Sequence, residues 1–269
     1  MKTGTAGEDV GHEPGGLTIP KVTVEANEGL AASNARRLFS EKHAIYARFI
    51  AFVHYPQGLG AFFRRSSLLR SGIRVLDAGC GTGAATLAVH DALVERAVTP
   101  GCLDAFDLTP AMLERFRKTL KRLGITLVEV RQANVLEMDT LPTAWTNYDL
   151  IVTASMLEYL PRERLSEALA ALGKRLNESG RLVVFITRRN WLTRLLIGWW
   201  WESNLYHKDE LLAEFERAGF SHGEVQACSA DRWVPCRMGL CCRGLGVVQI
   251  SHASSAKYPC HRTGSKRSA

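Results

Sequence analysis

Three glycines follow an acidic residue within the stretch Val75–Gly83, whose sequence is VLDAGCGTG. Gly79, Gly81 and Gly83 let the backbone approach a ligand without an intervening Cβ, and glycine adopts positive φ at little cost. A turn of this kind between a strand and a helix lies at the carboxyl end of a parallel sheet, where such folds bind ligands. The spacing therefore predicts that a ligand is held at the end of the first strand.

Asp77 stands two residues before the first of these glycines. A carboxylate there attracts the cationic amino group of an amino-acid moiety and repels a pyrophosphate. The G-x-G-x-G spacing also differs from the G-x-G-x-x-G/A fingerprint of dinucleotide sites. Because Ala84 and Ala85 follow closely, the spacing alone does not exclude a nicotinamide cofactor. The position of Asp77 favours a ligand that carries an amino acid.

A second acid, Asp107, ends the next predicted strand, close to where the ribose-binding acid of such folds lies. A carboxylate at this position can accept hydrogen bonds from both ribose hydroxyls. An acid at a strand end is also a common helix cap, which is the alternative interpretation. Together with Asp77 and the glycines, Asp107 predicts a nucleoside that bears an amino acid.

The elements that must position these residues alternate along the chain. Apolar runs predict strands at 74–77, 102–107, 126–132, 148–153 and 181–187, and weaker ones at 224–228 and 244–250. Helices are predicted at 84–98, 110–123, 162–176 and 208–218, the second with Thr109 as N-cap and Gly124 as its end. This order predicts an α/β fold, a doubly wound, mostly parallel seven-stranded sheet with helices on both faces and an N-terminal helical cap.

Four segments are predicted from these patterns. Residues 1–28 read as a flexible leader, and residues 29–68 as a helical cap whose pattern is broken at Pro56 and Gly58. Residues 69–251 form the predicted Rossmann-like domain, and residues 252–269 a disordered basic tail.

The composition and charge of the chain indicate which partners and which compartment to expect. The net charge is +7, but the tail supplies four basic residues and no acid, so the body is not strongly basic and no nucleic-acid partner is expected. Seven scattered cysteines fit neither a disulfide framework nor a zinc site, so we expect a reducing compartment and no metal. The N-terminus lacks the apolar run of a signal peptide, and no segment is long enough to span a membrane, which predicts a cytoplasmic protein.

Over roughly residues 74–250 the chain resembles the class I, Rossmann-like S-adenosylmethionine-dependent methyltransferases, and is similar to their small-molecule and quinone-type branches. VLDAGCGTG matches the first motif of that family almost letter for letter. The segment FDLTPAMLERFR at 106–117 resembles the stretch after its second strand. RQANVLEMDTLP at 131–142 and YDLIVTASMLEYLP at 148–161 resemble the adenine-edging and fourth-strand motifs.

The resemblance implies S-adenosylmethionine as the cofactor, with Asn134 accepting from the adenine amino group and Thr153 near the sulfonium. The family usually has Asp where Asn134 stands, but an amide oxygen can also accept that hydrogen bond. The implied cofactor-binding residues are Asp77, Ala78, Gly79, Cys80, Gly81, Gly83, Asp107, Leu108, Asn134, Val135 and Thr153.

The acceptor side is less defined. Methyl transfer from a sulfonium depends mainly on alignment and exclusion of water, so a general base is needed only if the acceptor must lose a proton. No catalytic residue is identified. Many members of the family carry His where this chain has Glu158 or Tyr159, so a proton abstraction by His is not expected. The candidates for substrate binding are Tyr46, Glu158, Tyr159, Trp191 and Tyr206.

The Trp-rich segment at 191–201 leaves three interpretations open. It forms a wall of an apolar substrate pocket, part of the hydrophobic core, or a peripheral contact with a membrane. The predicted function is a methyltransferase that acts on a small metabolite, an apolar one being favoured by this segment. The alternatives are an acceptor in protein or RNA, and a catalytically silent module that binds the cofactor. The oligomeric state is left open.

Overall fold

The structure is a computed structural model that describes residues 55–187, 206, 208–227 and 245–252. Tyr46, Trp191, the leader, the tail and the Trp-rich segment lie outside these residues. The helices are α1 (Tyr55–Arg65), α2 (Ala84–Glu95), α3 (Pro110–Leu123), α4 (Leu165–Gly173) and α5 (Lys208–Arg217). The strands are β1 (Arg74–Ala78), β2 (Cys102–Asp107), β3 (Val128–Gln132), β4 (Tyr148–Ala154), β5 (Leu176–Thr187), β6 (Phe220–Ala227) and β7 (Leu245–His252). Short 3₁₀ turns span Met138–Thr140, Leu157–Tyr159 and Arg162–Arg164.

The strands lie in one sheet in the order β3-β2-β1-β4-β5-β7-β6. The first five strands are parallel to one another, and β7 runs antiparallel to both β5 and β6. The chain moves outward from β1 to β3 on one side and from β4 to β5 on the other. The strand order therefore reverses between β1 and β4, which is where open α/β sheets bind ligands. The prediction of an α/β fold with a parallel sheet is confirmed.

The core lies on both faces of the sheet because side chains alternate along each strand. On one face Val75, Val152 and Phe185 are buried with α1 and α2, and the rings of Phe62 and Phe185 meet edge to face at 5.1 Å. The opposite face buries the neighbouring positions of the same strands against residues of α4 and α5. Continuous apolar strands are the consequence of this double cover.

The residues that begin and end α3 agree with the sequence prediction. Helix α3 starts with Thr109 at the N-cap position and Pro110 directly after it, and Gly124 ends it at φ 68°, as predicted. The predicted break at Gly58 is wrong, because α1 runs through it and carries Pro56 in its first turn, where a missing N–H is tolerated. No helix in the ranges given above is long and apolar enough to cross a lipid bilayer.

Other boundaries differ from the sequence prediction. The helix predicted at 162–176 begins with a 3₁₀ turn and ends at Gly173, and Leu176 instead opens β5 opposite Tyr148. A buried leucine fits a helix face and a strand equally well, so periodicity could not separate the two. The pairing of β4 with β5 then shifts between Tyr148 and Leu150. Gly180 allows this irregularity, since a Cβ there would lie 2.7 Å from the Tyr148 carbonyl oxygen.

Candidate cofactor-binding and active site

The three glycines in the turn after β1 are required for different reasons. All three have positive φ, 75° at Gly79, 54° at Gly81 and 90° at Gly83. A Cβ on Gly79 would lie 2.3 Å from Cγ of Met156, and one on Gly83 would lie 2.0 Å from Cε2 of Phe116. A Cβ on Gly81 would meet no atom within 4 Å. The turn is therefore packed at both ends and open at Gly81, where a ligand can approach the backbone.

Hydrogen bonds from the turn fix it against the end of β2. The N–H groups of Gly79 and Cys80 both donate to the Phe106 carbonyl oxygen, each at 2.9 Å. The N–H of Gly81 donates to Oδ2 of Asp107 at 2.8 Å. The two regions singled out in the sequence, the glycines and Asp107, are thus brought into direct contact.

Asp77 is the buried acid of this site, with 1% of its surface exposed. Its Oδ2 accepts a hydrogen bond of 2.5 Å from the hydroxyl of Thr86, on α2. Its Oδ1 is buried and has no hydrogen-bond partner among the described residues. Burial raises the pKa of Asp77 to about 7, although hydrogen bonds from the Thr86 hydroxyl and backbone N–H act to lower it. A buried carboxylate oxygen without a donor is costly, so this atom suits a cationic ligand group.

Asp107 is half-buried at the end of β2 and accepts a hydrogen bond on each oxygen. Besides the bond from Gly81, the N–H of Thr109 donates to Oδ1 at 2.8 Å. Burial raises the pKa of Asp107, and the two backbone N–H groups act to lower it. Each carboxylate oxygen has a further lone pair, so two hydroxyls can still bind. Asp107 also contributes to the raised pKa of Asp77, which places both acids at one site.

The segment predicted to edge the adenine follows β3. The N–H of Ala133 donates to the carbonyl oxygen of Asp107 at 3.1 Å, which holds the segment beside the acid. The amide oxygen of Asn134 accepts from the N–H of Leu136 at 3.1 Å, and its amide nitrogen donates to Glu137 at 3.3 Å. One lone pair of that oxygen is left for another donor. The adenine contacts of Asn134 and Val135 stay predictions.

The side chains of Thr153 and Asp77 lie on opposite faces of the sheet. In the sheet register Asp77 is opposite Val152, whereas Thr153 is opposite Val184, which belongs to the core of the other face. Thr153 is fully buried, and its hydroxyl has no partner in the part of the chain that the structure describes. Its predicted place near the sulfonium stays a prediction.

Two of the predicted acceptor-side residues, Glu158 and Tyr206, are buried. Glu158 lies in the turn Leu157–Tyr159 and is only 3% exposed, so it is a buried acid. Tyr206 is 7% exposed, and its hydroxyl is buried without a hydrogen-bond partner in the described ranges. Burial raises the pKa of Tyr206 to about 12, and Glu158 is among the acids that raise it further. The guanidinium of Arg162 lies 4.8 Å from the centre of the Tyr206 ring.

Sequence reasoning missed Thr86, Met156 and Phe116, which hold Asp77 and the glycine turn in place. A hydroxyl in the first turn of the helix after a glycine cradle was a usable signal for Thr86. Met156 had none, because its direction depends on Ser155, which takes a φ of 53° that serine rarely adopts.

Comparison with known proteins identifies the domain. A family described as "Methyltransferase domain" matches residues 75–180, which include the glycine turn, both acids and β4. Residues 75–180 are a class I methyltransferase domain. The resemblance noted in the sequence is thereby confirmed, and S-adenosylmethionine is the cofactor of this methyltransferase domain.

Two curated relatives illustrate the similarity of the methyltransferase domain. The malonyl-[acyl-carrier protein] O-methyltransferase of Anoxybacillus flavithermus is 28% identical over 150 residues, which are 55% of this chain and 50% of that protein. The chloroplastic 2-methyl-6-phytyl-1,4-hydroquinone methyltransferase 1 of Oryza sativa subsp. japonica is 27% identical over 164 residues, 60% of this chain and 45% of that protein. The chain therefore spans about half the length of these relatives.

A solved structure supports the fold of the same domain. The magnesium protoporphyrin IX methyltransferase of Synechocystis PCC 6803, with bound SAH, superposes with a TM-score of 0.59 at 15% identity. The match covers 82% of this chain and 99% of that one. At this identity the likeness concerns the Rossmann-like arrangement of strands and helices.

Proposed function

We propose that the protein transfers the methyl group of S-adenosylmethionine to a small metabolite. The observation that carries the proposal is Oδ1 of Asp77, a buried carboxylate oxygen without a donor among the described residues, beside an open glycine turn. The ammonium group of the cofactor would supply the missing donor, and its charge would offset the burial of the acid. A ligand without a cation would leave that oxygen unsatisfied.

The remaining cofactor contacts follow from the same placement. Asp107 would accept the ribose hydroxyls, and Asn134 and Val135 would border the adenine. The backbone of the turn would line the cofactor on its open side. Ala78, Gly79, Cys80, Gly81, Gly83, Leu108 and Thr153 complete the proposed set.

The chain contributes alignment rather than covalent chemistry. When bound, the cofactor supplies a methyl group activated on a sulfonium, and the protein must hold an acceptor atom in line with it. Glu158 and Tyr206 offer a buried carboxylate and a buried hydroxyl on the acceptor side. We propose that they, with Tyr159, Tyr46 and Trp191, bind the acceptor. Glu158 would also accept a proton if the acceptor must lose one.

The acceptor class is a small organic molecule or group. The two relatives described above, named for a malonyl group and a phytyl hydroquinone, support this choice. We further propose that the helical cap of residues 29–68 and the Trp-rich segment close the pocket. Contact of the Trp-rich segment with a membrane is the alternative role for that part of the chain.

A labelled-methyl screen tests the acceptor. The protein is incubated with methyl-labelled S-adenosylmethionine and separate pools of small metabolites, lipid extract, RNA and protein. We expect label in the metabolite or lipid pool, and its loss in Asp77→Asn. Asp91→Asn is the matched control, since it makes the same change on a side chain that is 70% exposed on α2.

Label in RNA or protein alone would contradict the small-molecule acceptor. Absence of label from every pool, with cofactor binding retained, would contradict catalysis and favour the silent binding module.

A further inference from the structure

Thr86 is a buried polar residue next to the proposed cofactor site. It is the third residue of α2, and none of its surface is exposed. Its hydroxyl has a single proton and donates it to Oδ2 of Asp77 at 2.5 Å. Threonine is a poor helix former, and in helices its hydroxyl commonly bonds the carbonyl one turn earlier. Here the proton is given to the carboxylate instead.

This hydrogen bond determines which oxygen of Asp77 is available. With Oδ2 held by α2, rotation of the carboxylate is restricted, and Oδ1 remains as the buried atom without a partner among the described residues. Side chains in the first turn of a helix lean toward its N-terminus, so the Thr86 side chain points back toward the strand end and the glycine turn that precede α2. The two oxygens of Asp77 thus have different roles.

We propose that Thr86 is a positioning residue for the cofactor, which holds Oδ2 of Asp77 so that Oδ1 receives the cofactor's ammonium group. The proposal rests on the function proposed above. It adds a residue from α2 to a site that the sequence placed only on the turn and the strand ends.

The bond also favours the ionised form of Asp77, which a purely structural contact need not do. A donor to a carboxylate stabilises the charged state and lowers the pKa. Among the described residues, Asp107, at the end of β2, is the titratable group that raises the pKa of Asp77, and Asp77 in turn raises the pKa of the Cys80 thiol in the turn. Burial and the two acids raise the pKa of Cys80 well above its ordinary value, so that thiol is neutral near pH 7. Loss of the Thr86 hydroxyl should therefore raise the pKa of Asp77.

The experiment measures the affinity of the full chain for S-adenosylmethionine by calorimetry between about pH 6 and pH 8.5. For the native protein the affinity should rise as Asp77 ionises, and fall again as the α-amino group of the cofactor loses its proton near pH 8. Thr86→Val keeps the shape and removes the donor. It should weaken binding about tenfold at pH 7 and move the rising limb up by about one pH unit. Thr86→Ser should restore both.

Val89→Ala is the matched control, because Val89 is buried on the same helix but belongs to the apolar core. It should lower the melting temperature and leave the pH profile of binding unchanged. Thr86→Ala, which also lacks the hydroxyl, replaces the valine variant if that one does not fold.

Two outcomes would overturn the proposal: a hydroxyl-free variant with native affinity and pH profile, or the same shift of the profile in Val89→Ala. Asp77→Asn, measured in parallel, separates this result from the function. If it loses affinity while the Thr86 variants do not, only the role of Thr86 fails. If it also binds normally, the proposed role of Asp77 fails as well.

Discussion

Asp77 shows a conflict between function and stability at the scale of one residue. Its pKa is about 7 in the folded protein and near 3.8 ordinarily, because burial disfavours the charged form. The folded state therefore binds this proton more tightly than the unfolded chain. As the pH rises from about 4 to about 7, the unfolded chain releases the proton first, and the free energy of unfolding decreases. The acid that suits a cationic ligand group therefore lowers the stability of the ligand-free protein near neutral pH.

Asp77→Asn should remove this pH dependence. Each unit of pKa shift corresponds to about 1.4 kcal/mol, so the stability of the variant relative to the native protein should improve by roughly 2–4 kcal/mol between pH 4 and pH 8. Denaturant unfolding of both proteins at the two pH values measures the change. A constant difference in stability across this range would contradict the raised pKa.

Some of the site residues could be predicted from the sequence and others could not. Asp77 and Asp107 were found from their spacing to the glycines, since a cradle and two acids have a recognisable chemical use. Thr86 and Ser155 were not, because a buried hydroxyl and a positive φ depend on what the folded chain places opposite them. Glu158 was found, but its burial was not, since only the packing of the turn after β4 determines it.

At the scale of elements, α3 supports the glycine turn. Phe116 is fully buried on α3, and its ring lies where a side chain on Gly83 would have to be. Local rules predicted both ends of this helix, because Thr109, Pro110 and Gly124 act on their own backbone. They could not show that Phe116 faces Gly83, nor that Leu176 belongs to β5, since partners across the fold decide both.

A double-mutant cycle tests this contact. Gly83→Ala should cost several kcal/mol, because the added Cβ would lie 2.0 Å from the Phe116 ring and φ is 90°. Phe116→Ala alone should cost about 3–5 kcal/mol through the cavity that it leaves. In the double variant the clash is gone and only the backbone strain of the substituted turn is added to the cavity, about 1–3 kcal/mol, so the two single losses should add up to more than the loss of the double variant. Strict additivity of the free energies of unfolding would show that Phe116 does not confine Gly83.

At the scale of the whole molecule, the two ends of the parallel strands have different roles. The carboxyl ends carry the glycine turn, Asp107 and the turn with Glu158. The amino ends carry Asp149, whose carboxylate accepts from the side chain of Arg70 at 2.7 Å, the N–H of Arg74 at 2.8 Å and the side chain of Asn177 at 2.8 Å. These bonds join the chain before β1 to β4 and β5. The amino ends therefore stabilise the sheet whose carboxyl ends carry the proposed ligand site.

Calorimetry with two ligands separates the proposed roles of the two acids, Asp77 at the amino-acid part of the cofactor and Asp107 at its ribose. S-adenosylmethionine carries both the amino acid and the nucleoside, whereas 5′-methylthioadenosine lacks the amino acid. Asp149→Ala serves as the control at the amino ends of the strands, and should lower stability by roughly 2–4 kcal/mol without weakening either ligand. We predict that Asp77→Asn weakens S-adenosylmethionine at least about tenfold and leaves methylthioadenosine unchanged, while Asp107→Asn weakens both. Equal loss of both ligands in Asp77→Asn, or no loss of either, would contradict the account.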